Sequence, residues 1–180
     1  FDIILIGAGN LATRLGKEFF RKGFHIKQVY SRTINAAQDL AVQVNASFTD
    51  NLSSIQRNAS LYICALKDDA LSEALQQLAD CNGIFVHTAG SVSITVFEGL
   101  FPDYGVFYPL QTFSKKQEVD FSLIPIFIEA NNSRTENTLM NIAGRLSGRV
   151  FQIDSEQRSR VHLSAVFACN FVNRMYALAD

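Results

Sequence analysis

Apolar residues along this chain fall into short unbroken runs separated by stretches of helical spacing, and that alternation predicts repeating β-α units. Ile3-Ile4-Leu5-Ile6 is such a run, and Leu11, Leu15 and Phe19 follow it at helical intervals. Arg21-Lys22-Gly23 forms a basic last turn closed by glycine, and a second strand runs through Ile26, Gln28, Val29 and Tyr30. The pattern next predicts a helix over 35–44, a strand over 46–49 and a short turn from Asp50-Asn51. A strand over 61–66 carries no alternation, as a strand covered on both faces should. Beyond it the pattern expects a helix over 70–78, capped by Asp68 or Asp69, a strand over 83–87 and a short helix over 94–100. A strand over 106–108 stops at Pro109, whose ring is expected to free its carboxyl end from the ladder. The segment 121–130 contains Pro125 and is expected at an edge or at a bulge, before a helix from Asn132 or Ser133 to Leu146 and a strand over 149–153. Eight strands alternating with helices specify an α/β fold: a doubly wound, mostly parallel sheet of Rossmann type with helices on both faces.

The end of the chain reads differently. Asp154-Ser155-Glu156-Gln157 has the form of a capping box, and nothing interrupts a helix from there to Asp180. Such a helix would be roughly 40 Å long, more than the sheet needs. Its centre is apolar almost all round (Val161, Leu163, Val166, Phe167, Phe171, Val172), so it is expected to be buried on several sides. The expected division is therefore a nucleotide-binding domain over 1–154 and, over 155–180, the first long helix of a helical domain. The chain begins at Phe1 without methionine and no residues remain to cover the helix, so the expectation is the first part of a longer protein. The rest of that protein or a homodimer partner would pack around the helix.

Composition narrows the classes. Of 180 residues 48% are hydrophobic and 18% charged, which fits an ordinary globular protein. A net charge of -1 with no basic run argues against nucleic acid as a partner. No run approaches the roughly 18 apolar residues of a membrane span. Cys64, Cys81 and Cys169 are odd in number and have no metal or redox spacing, which suits buried thiols in a reducing cytoplasm.

Candidate chemistry begins at Gly7-Ala8-Gly9-Asn10-Leu11-Ala12, a Gly-x-Gly-x-x-Ala turn between the first strand and the first helix. Gly7 permits the sharp turn, Gly9 allows backbone to approach a pyrophosphate, and Ala12 allows close packing of helix on strand. Amide groups at the helix start would face the anion. About 20 residues further on, an enzyme of the unphosphorylated cofactor carries an acid for the ribose hydroxyl. Ser31-Arg32-Thr33 stands there instead, two hydroxyls flanking a guanidinium, which suits a 2′-phosphate and favours NADP. The alternative at this position is a helix cap at Ser31 or Thr33 beside a solvated Arg32. Leu66 and Lys67, after the fourth strand, and Ala89-Gly90-Ser91, after the fifth, lie where a doubly wound sheet places its ligand. His87 reads first as a core histidine satisfied by backbone. Gln111 and Thr112 offer an amide and a hydroxyl beside the same crevice. On the last helix His162, Val166 and Asn170 share one face, where a polar pair on an apolar stripe needs a partner: a substrate, or a neighbouring loop or subunit.

Gly7-Ala8-Gly9-Asn10, Ser31-Arg32-Thr33, Pro109-Leu110-Gln111-Thr112-Phe113 and the stretch from His162 to Phe171 together resemble a bacterial family. Its members are Rossmann-like NADP oxidoreductases with an uncharacterised helical C-terminal domain. More distantly the chain is similar to pyrroline-carboxylate reductase, prephenate dehydrogenase, ketopantoate reductase and the 6-phosphogluconate dehydrogenase group. The resemblance implies a helical second domain that builds a dimer and supplies substrate contacts. Hydroxyacid dehydrogenases of that group place a catalytic lysine one turn before an asparagine on their first long helix. Here Val166 stands one turn before Asn170, and His162, two turns before it, is the nearest titratable substitute.

The expected function is thus hydride transfer between NADP and a small carbonyl, imine or hydroxy-acid substrate. His162 and Asn170 are the expected catalytic residues, and Gln111 and Thr112 the expected substrate contacts. The rival from another class is a sensor that holds NADP without turnover.

Overall fold

The computed structural model describes residues 1–115 and 117–171, with side chains through Ala168. Its elements are β1 (Asp2–Ile6), α1 (Asn10–Arg21), β2 (His25–Tyr30), α2 (Ile34–Gln43), β3 (Ser47–Thr49), β4 (Asn58–Cys64) and α3 (Asp68–Gln77). They continue with β5 (Asn82–His87), β6 (Tyr104–Pro109), β7 (Ile126–Ala130), α4 (Ser133–Leu146), β8 (Val150–Gln152) and α5 (Ser155–Ala165). One sheet takes the order β3-β2-β1-β4-β5-β6-β7-β8. Strands β1 to β6 pair in parallel, β7 runs antiparallel to β6, and β8 is again parallel to β7. The chain winds outward from β1 to β3 and returns to β4 on the other side of β1. That reversal opens a crevice beyond the carboxyl ends of β1 and β4.

Strand β1 is buried on both faces because alternate residues serve two cores. Ile3 and Leu5 join Leu15 and Phe19 of α1 and Leu40 of α2, whereas Ile4 and Ile6 join Leu71 and Leu75 of α3 and Phe97. Each such buried side chain stabilises the fold by roughly 1.5–3 kcal/mol. Cys64 and Cys81 lie in the second core, where burial pushes both thiols up and keeps them inert. Among the described residues no helix is long and apolar enough to cross a membrane.

Several local expectations need correction. Strand β4 starts at Asn58 and ends at Cys64, so Leu66 lies in the loop beyond it. The stretch after Ser93 makes only a short 3-10 helix, Ile94–Phe97, with Ser93 accepting from the Thr95 amide. Pro109 does not release its strand: it pairs with Ile126, and the Leu110 amide donates to the Pro125 carbonyl at 2.8 Å. The ladder tolerates Pro109 because the next residue restores the bond. Nor is the following strand an edge, since β7 lies between β6 and β8 and Pro125 precedes it. Neither Asp68 nor Asp69 caps α3. Lys67 holds the cap position without a side-chain bond, and Asp68 accepts from the Ser91 hydroxyl at 2.7 Å, joining two loops of the crevice. Both acids still sit in the first turn, where the helix dipole favours them.

The capping box of α5 is present, with the Asp154 carboxylate accepting from the Gln157 amide and Gln157 reaching back. Regular α geometry gives way to a π-helical segment, Val166–Phe171, in place of an uninterrupted helix, and residues 172–180 lie outside the described part. The described part of α5 is held by polar groups. Its one buried residue is Arg158, while Leu163, and Phe167 in the π-helical segment beyond, are exposed.

Candidate functional site

The turn after β1 is built as its small residues require. Gly7 has φ of +128°, its amide donates to the Tyr30 carbonyl at 2.8 Å, and a Cβ there would meet the Ala65 carbonyl oxygen at 2.4 Å. Ala8 packs in the first core. Gly9 is different. Its backbone, φ −74° and ψ −172°, is open to any residue, and an added Cβ would find no protein atom within 4 Å. Neither strain nor packing among the described residues calls for glycine there, so the feature that Gly9 preserves is open space before α1. No side chain caps α1, and its first turn holds no acid. An anionic group fits this turn.

Gly9, Asn10 and Leu11 form one wall of a crevice of about 380 Å³. Leu66 and Lys67 come from the loop after β4, Ala89, Gly90 and Ser91 from the loop after β5, and Tyr108 and Gln111 from the end of β6. His162 of α5 lines the far wall. Ten of the residues singled out in the sequence therefore meet here. Ser31, Arg32 and Thr33 do not line the crevice. Arg32 lines an adjoining cavity of about 120 Å³ together with Tyr30, Leu52 and Glu73, and Leu66 borders both. Among the described residues Arg32 forms no ion pair. Thr33 occupies the cap position of α2 but its side chain makes no cap bond, and the Ser31 hydroxyl accepts from the Thr33 amide at 3.3 Å.

Gln111 and Thr112 face a second cavity of about 360 Å³, lined also by Leu110, Ala165, Val166 and Ala168. The Gln111 side-chain oxygen accepts from the Thr112 amide at 2.9 Å, so its amide nitrogen is the group left for other partners. Tyr108 and His162 border both cavities, with the Tyr108 hydroxyl 2.7 Å from His162 Nδ1. The side chain of Asn170 lies outside the described residues.

Three groups in this neighbourhood were not among the sequence candidates. Arg158 is 1% exposed and binds Glu129 of β7, the Val92 carbonyl and, at 3.2 Å, the Ser155 hydroxyl. Ser155 in turn donates to Glu129 at 2.8 Å and accepts from the Ile94 amide at 3.1 Å. The second group is Tyr108, whose phenol is raised by burial and pulled partly back by the charge of Arg158. The third is Glu129. Tyr108 had a signal in the sequence, as the last residue before Pro109 at the carboxyl end of a strand. Arg158 and Glu129 had none, because their pairing joins positions 29 residues apart. His87 is wholly buried, as a core histidine should be, but backbone satisfies only one of its ring nitrogens: Nδ1 accepts from the Ala89 amide at 3.2 Å, and Nε2 has no hydrogen-bond partner among the described residues. Burial first, and Arg158 second, push its pKa down to about 3, so the ring is neutral.

Residues 1–97 match the family model described as "Putative NAD(P)-binding". The chain belongs to this NAD(P)-binding family. Residues 124–180 match a second description, "Domain of unknown function (DUF2520)", which starts just before β7. A solved structure of a putative NADP oxidoreductase from Bacteroides fragilis is 54% identical, covering 99% of this chain and 70% of its own, with a TM-score of 0.96. A protein from Thermotoga maritima is 22% identical, covers 98% of this chain and 67% of its own, and has a TM-score of 0.80. A pyrroline-5-carboxylate reductase from Coxiella burnetii shares the fold at 18% identity, with coverages of 98% and 68% and a TM-score of 0.74. No curated protein matches the chain. The NAD(P)-binding family and the distant likeness to pyrroline-carboxylate reductase agree with the resemblance carried by the glycine turn and the later motifs.

Proposed function

We propose that this member of the NAD(P)-binding family is an NADP-dependent oxidoreductase acting on a small carbonyl, imine or hydroxy acid. The observation that carries the reading is the crevice at the β1/β4 reversal, with an open glycine turn at one end and a hydrogen-bonded Tyr108–His162 pair at the other. Gly7 and Ala8 shape the turn, and Gly9, Asn10 and Leu11 present backbone to the pyrophosphate. Arg32, flanked by Ser31 and Thr33, takes the 2′-phosphate. Leu66, Lys67, Ala89, Gly90 and Ser91 hold the remainder of the dinucleotide. When bound, the cofactor supplies the hydride; the protein supplies orientation, exclusion of water and a proton path. His162 serves that proton path, and Gln111, Thr112 and Asn170 orient the substrate. The sheet over 1–154 is the cofactor domain, and the helical region from 155 onward is the substrate and homodimer region.

A second reading, an NADP-holding sensor without turnover, is favoured by one observation: Val166 stands where the related hydroxyacid dehydrogenases place lysine. Titration of the purified protein with NADPH and NADH tests the cofactor assignment. Wild type is expected to prefer NADPH by about tenfold or more, a difference of about 1.4 kcal/mol. Arg32→Asp should erase or reverse that preference. Equal affinities in wild type would sink the Arg32 assignment. Oxidation of NADPH by a cyclic imine, pyruvate or an aldehyde separates enzyme from sensor.

A further inference from the structure

The Tyr108–His162 pair stands at the junction of the two cavities, and the Nδ1 edge of its histidine is committed to the phenol. The Nδ1 edge of His162 is walled in on two sides. Tyr108 Oη lies 2.7 Å from Nδ1, and the position that a Cβ of Gly90 would take lies 2.4 Å from both Nδ1 and Cγ. Only a glycine at 90 lets the ring sit there. Tyr108 is fixed in turn: it is 7% exposed, paired to Phe127 across β6 and β7, and stacked on that ring at 6.4 Å. Behind the pair, Arg158 brings a buried positive charge that acts on the phenol. Ser155, Arg158 and His162 succeed one another along α5, so the bonds that anchor Ser155 and Arg158 also set the height of His162 over β6.

We propose that Tyr108 is the catalytic residue that gives the proton to the substrate heteroatom, with His162 behind it as the relay. The inference rests on the oxidoreductase reading above. As hydride from the nicotinamide cofactor forms a C–H bond, the π pair of the C=O or C=N bond moves to the heteroatom. That pair takes the Tyr108 proton, and the O–H electrons remain on the phenolate oxygen. The Nδ1–H bond of His162 then breaks, its proton passing to the phenolate oxygen and its electron pair staying on the ring, while the Nε2 lone pair takes a proton from solvent; exchange with solvent then moves the ring proton from Nε2 back to Nδ1. Tyr108 ends as a phenol, and the sum consumes one hydride and one proton. In the oxidative direction each transfer reverses. His162 is half-buried, which leaves its ring in reach of solvent.

The test uses full-length protein, NADPH, and pyrroline, pyruvate and propionaldehyde as the substrate panel. Tyr108→Phe should lower kcat by about a hundredfold, the scale of a lost acid–base group, with NADPH affinity unchanged. His162→Gln should lower it less and make exchange of the proton with solvent limiting, seen as a larger solvent isotope effect. Nitrogen NMR of the protein without cofactor gives a readout independent of turnover: the Nδ1 resonance of His162 should move on Tyr108→Phe and stay put on Thr112→Ser. A kcat within about threefold of wild type in Tyr108→Phe overturns the proposal and leaves direct donation by His162 Nε2. An unmoved Nδ1 resonance overturns it as well, by removing the hydrogen bond. Wild type that binds NADPH but reduces nothing in the panel, with the resonance shift intact, fails the oxidoreductase reading and ends the donor role with it. Should Tyr108→Phe fold poorly, fluorotyrosine at position 108 replaces it. A kcat that tracks the acidity of the phenol supports the proposal, and one indifferent to it refutes the proposal.

Discussion

The buried pair Arg158–Glu129 makes the sharpest prediction about what holds α5 over the crevice. Arg158 is 1% exposed at its side chain and Glu129 14%, and the guanidinium also binds the Val92 carbonyl and Ser155. Glu129→Ala would leave a buried cation with only neutral acceptors. Breaking a pair of this kind costs about 3–5 kcal/mol, because the remaining charge has lost both water and its partner. In a chain of this size that corresponds to a fall in Tm of about 10 °C. Arg158→Met in the Glu129→Leu background removes both charges and fills the space with apolar atoms, and should recover most of the loss. Urea unfolding of wild type, the single variant and the double variant supplies the comparison. A loss under about 1 kcal/mol for Glu129→Ala would refute the reasoning, since it would mean that the pair is effectively solvated. A double variant no more stable than the single one would also refute it.

Gly7→Ala forces a Cβ to within 2.4 Å of the Ala65 carbonyl oxygen at φ of +128°, so it should destabilise by about 1–3 kcal/mol or prevent folding, measured by the same urea midpoints. His87 gives a pH effect whose sign follows from its depressed pKa. Between pH 6.5 and about 3 the unfolded chain binds a proton that the folded chain refuses, so stability falls as pH falls, by about 2 kcal/mol at about pH 5. His87→Gln should remove that part of the slope; equal slopes in wild type and variant would show that the ring charges within the fold.

Most of the fold was legible because its strands are continuous apolar runs and its helices carry clear spacing. The features that were misread share a cause: tertiary contacts replaced a local rule. Pro125 marked an edge strand or a bulge by local logic, yet it stands just outside β7, where no ladder amide is needed. Asp68 matched a cap but found the Ser91 hydroxyl instead. The described turns of the last helix are fastened to the sheet by Ser155, Arg158 and His162, contacts that no spacing along the helix announces. Of the candidate site, the meeting of the glycine turn with the loops after β4 and β5 was legible because doubly wound topology brings the carboxyl ends of these strands together. Tyr108 carried a signal only in its place before Pro109 at the end of a strand; its contact with His162, 54 positions away, carried none.

The central claim is that the open space at Gly9 exists for a dinucleotide. Titration of Gly9→Ala with NADPH tests it most directly, because the added methyl group meets no protein atom within 4 Å and the backbone there accepts alanine. The expected result is an unchanged or slightly raised Tm, since alanine restricts the unfolded chain, together with NADPH binding weakened by about tenfold or more. Gly9→Ala protein that binds NADPH as tightly as wild type would contradict the claim.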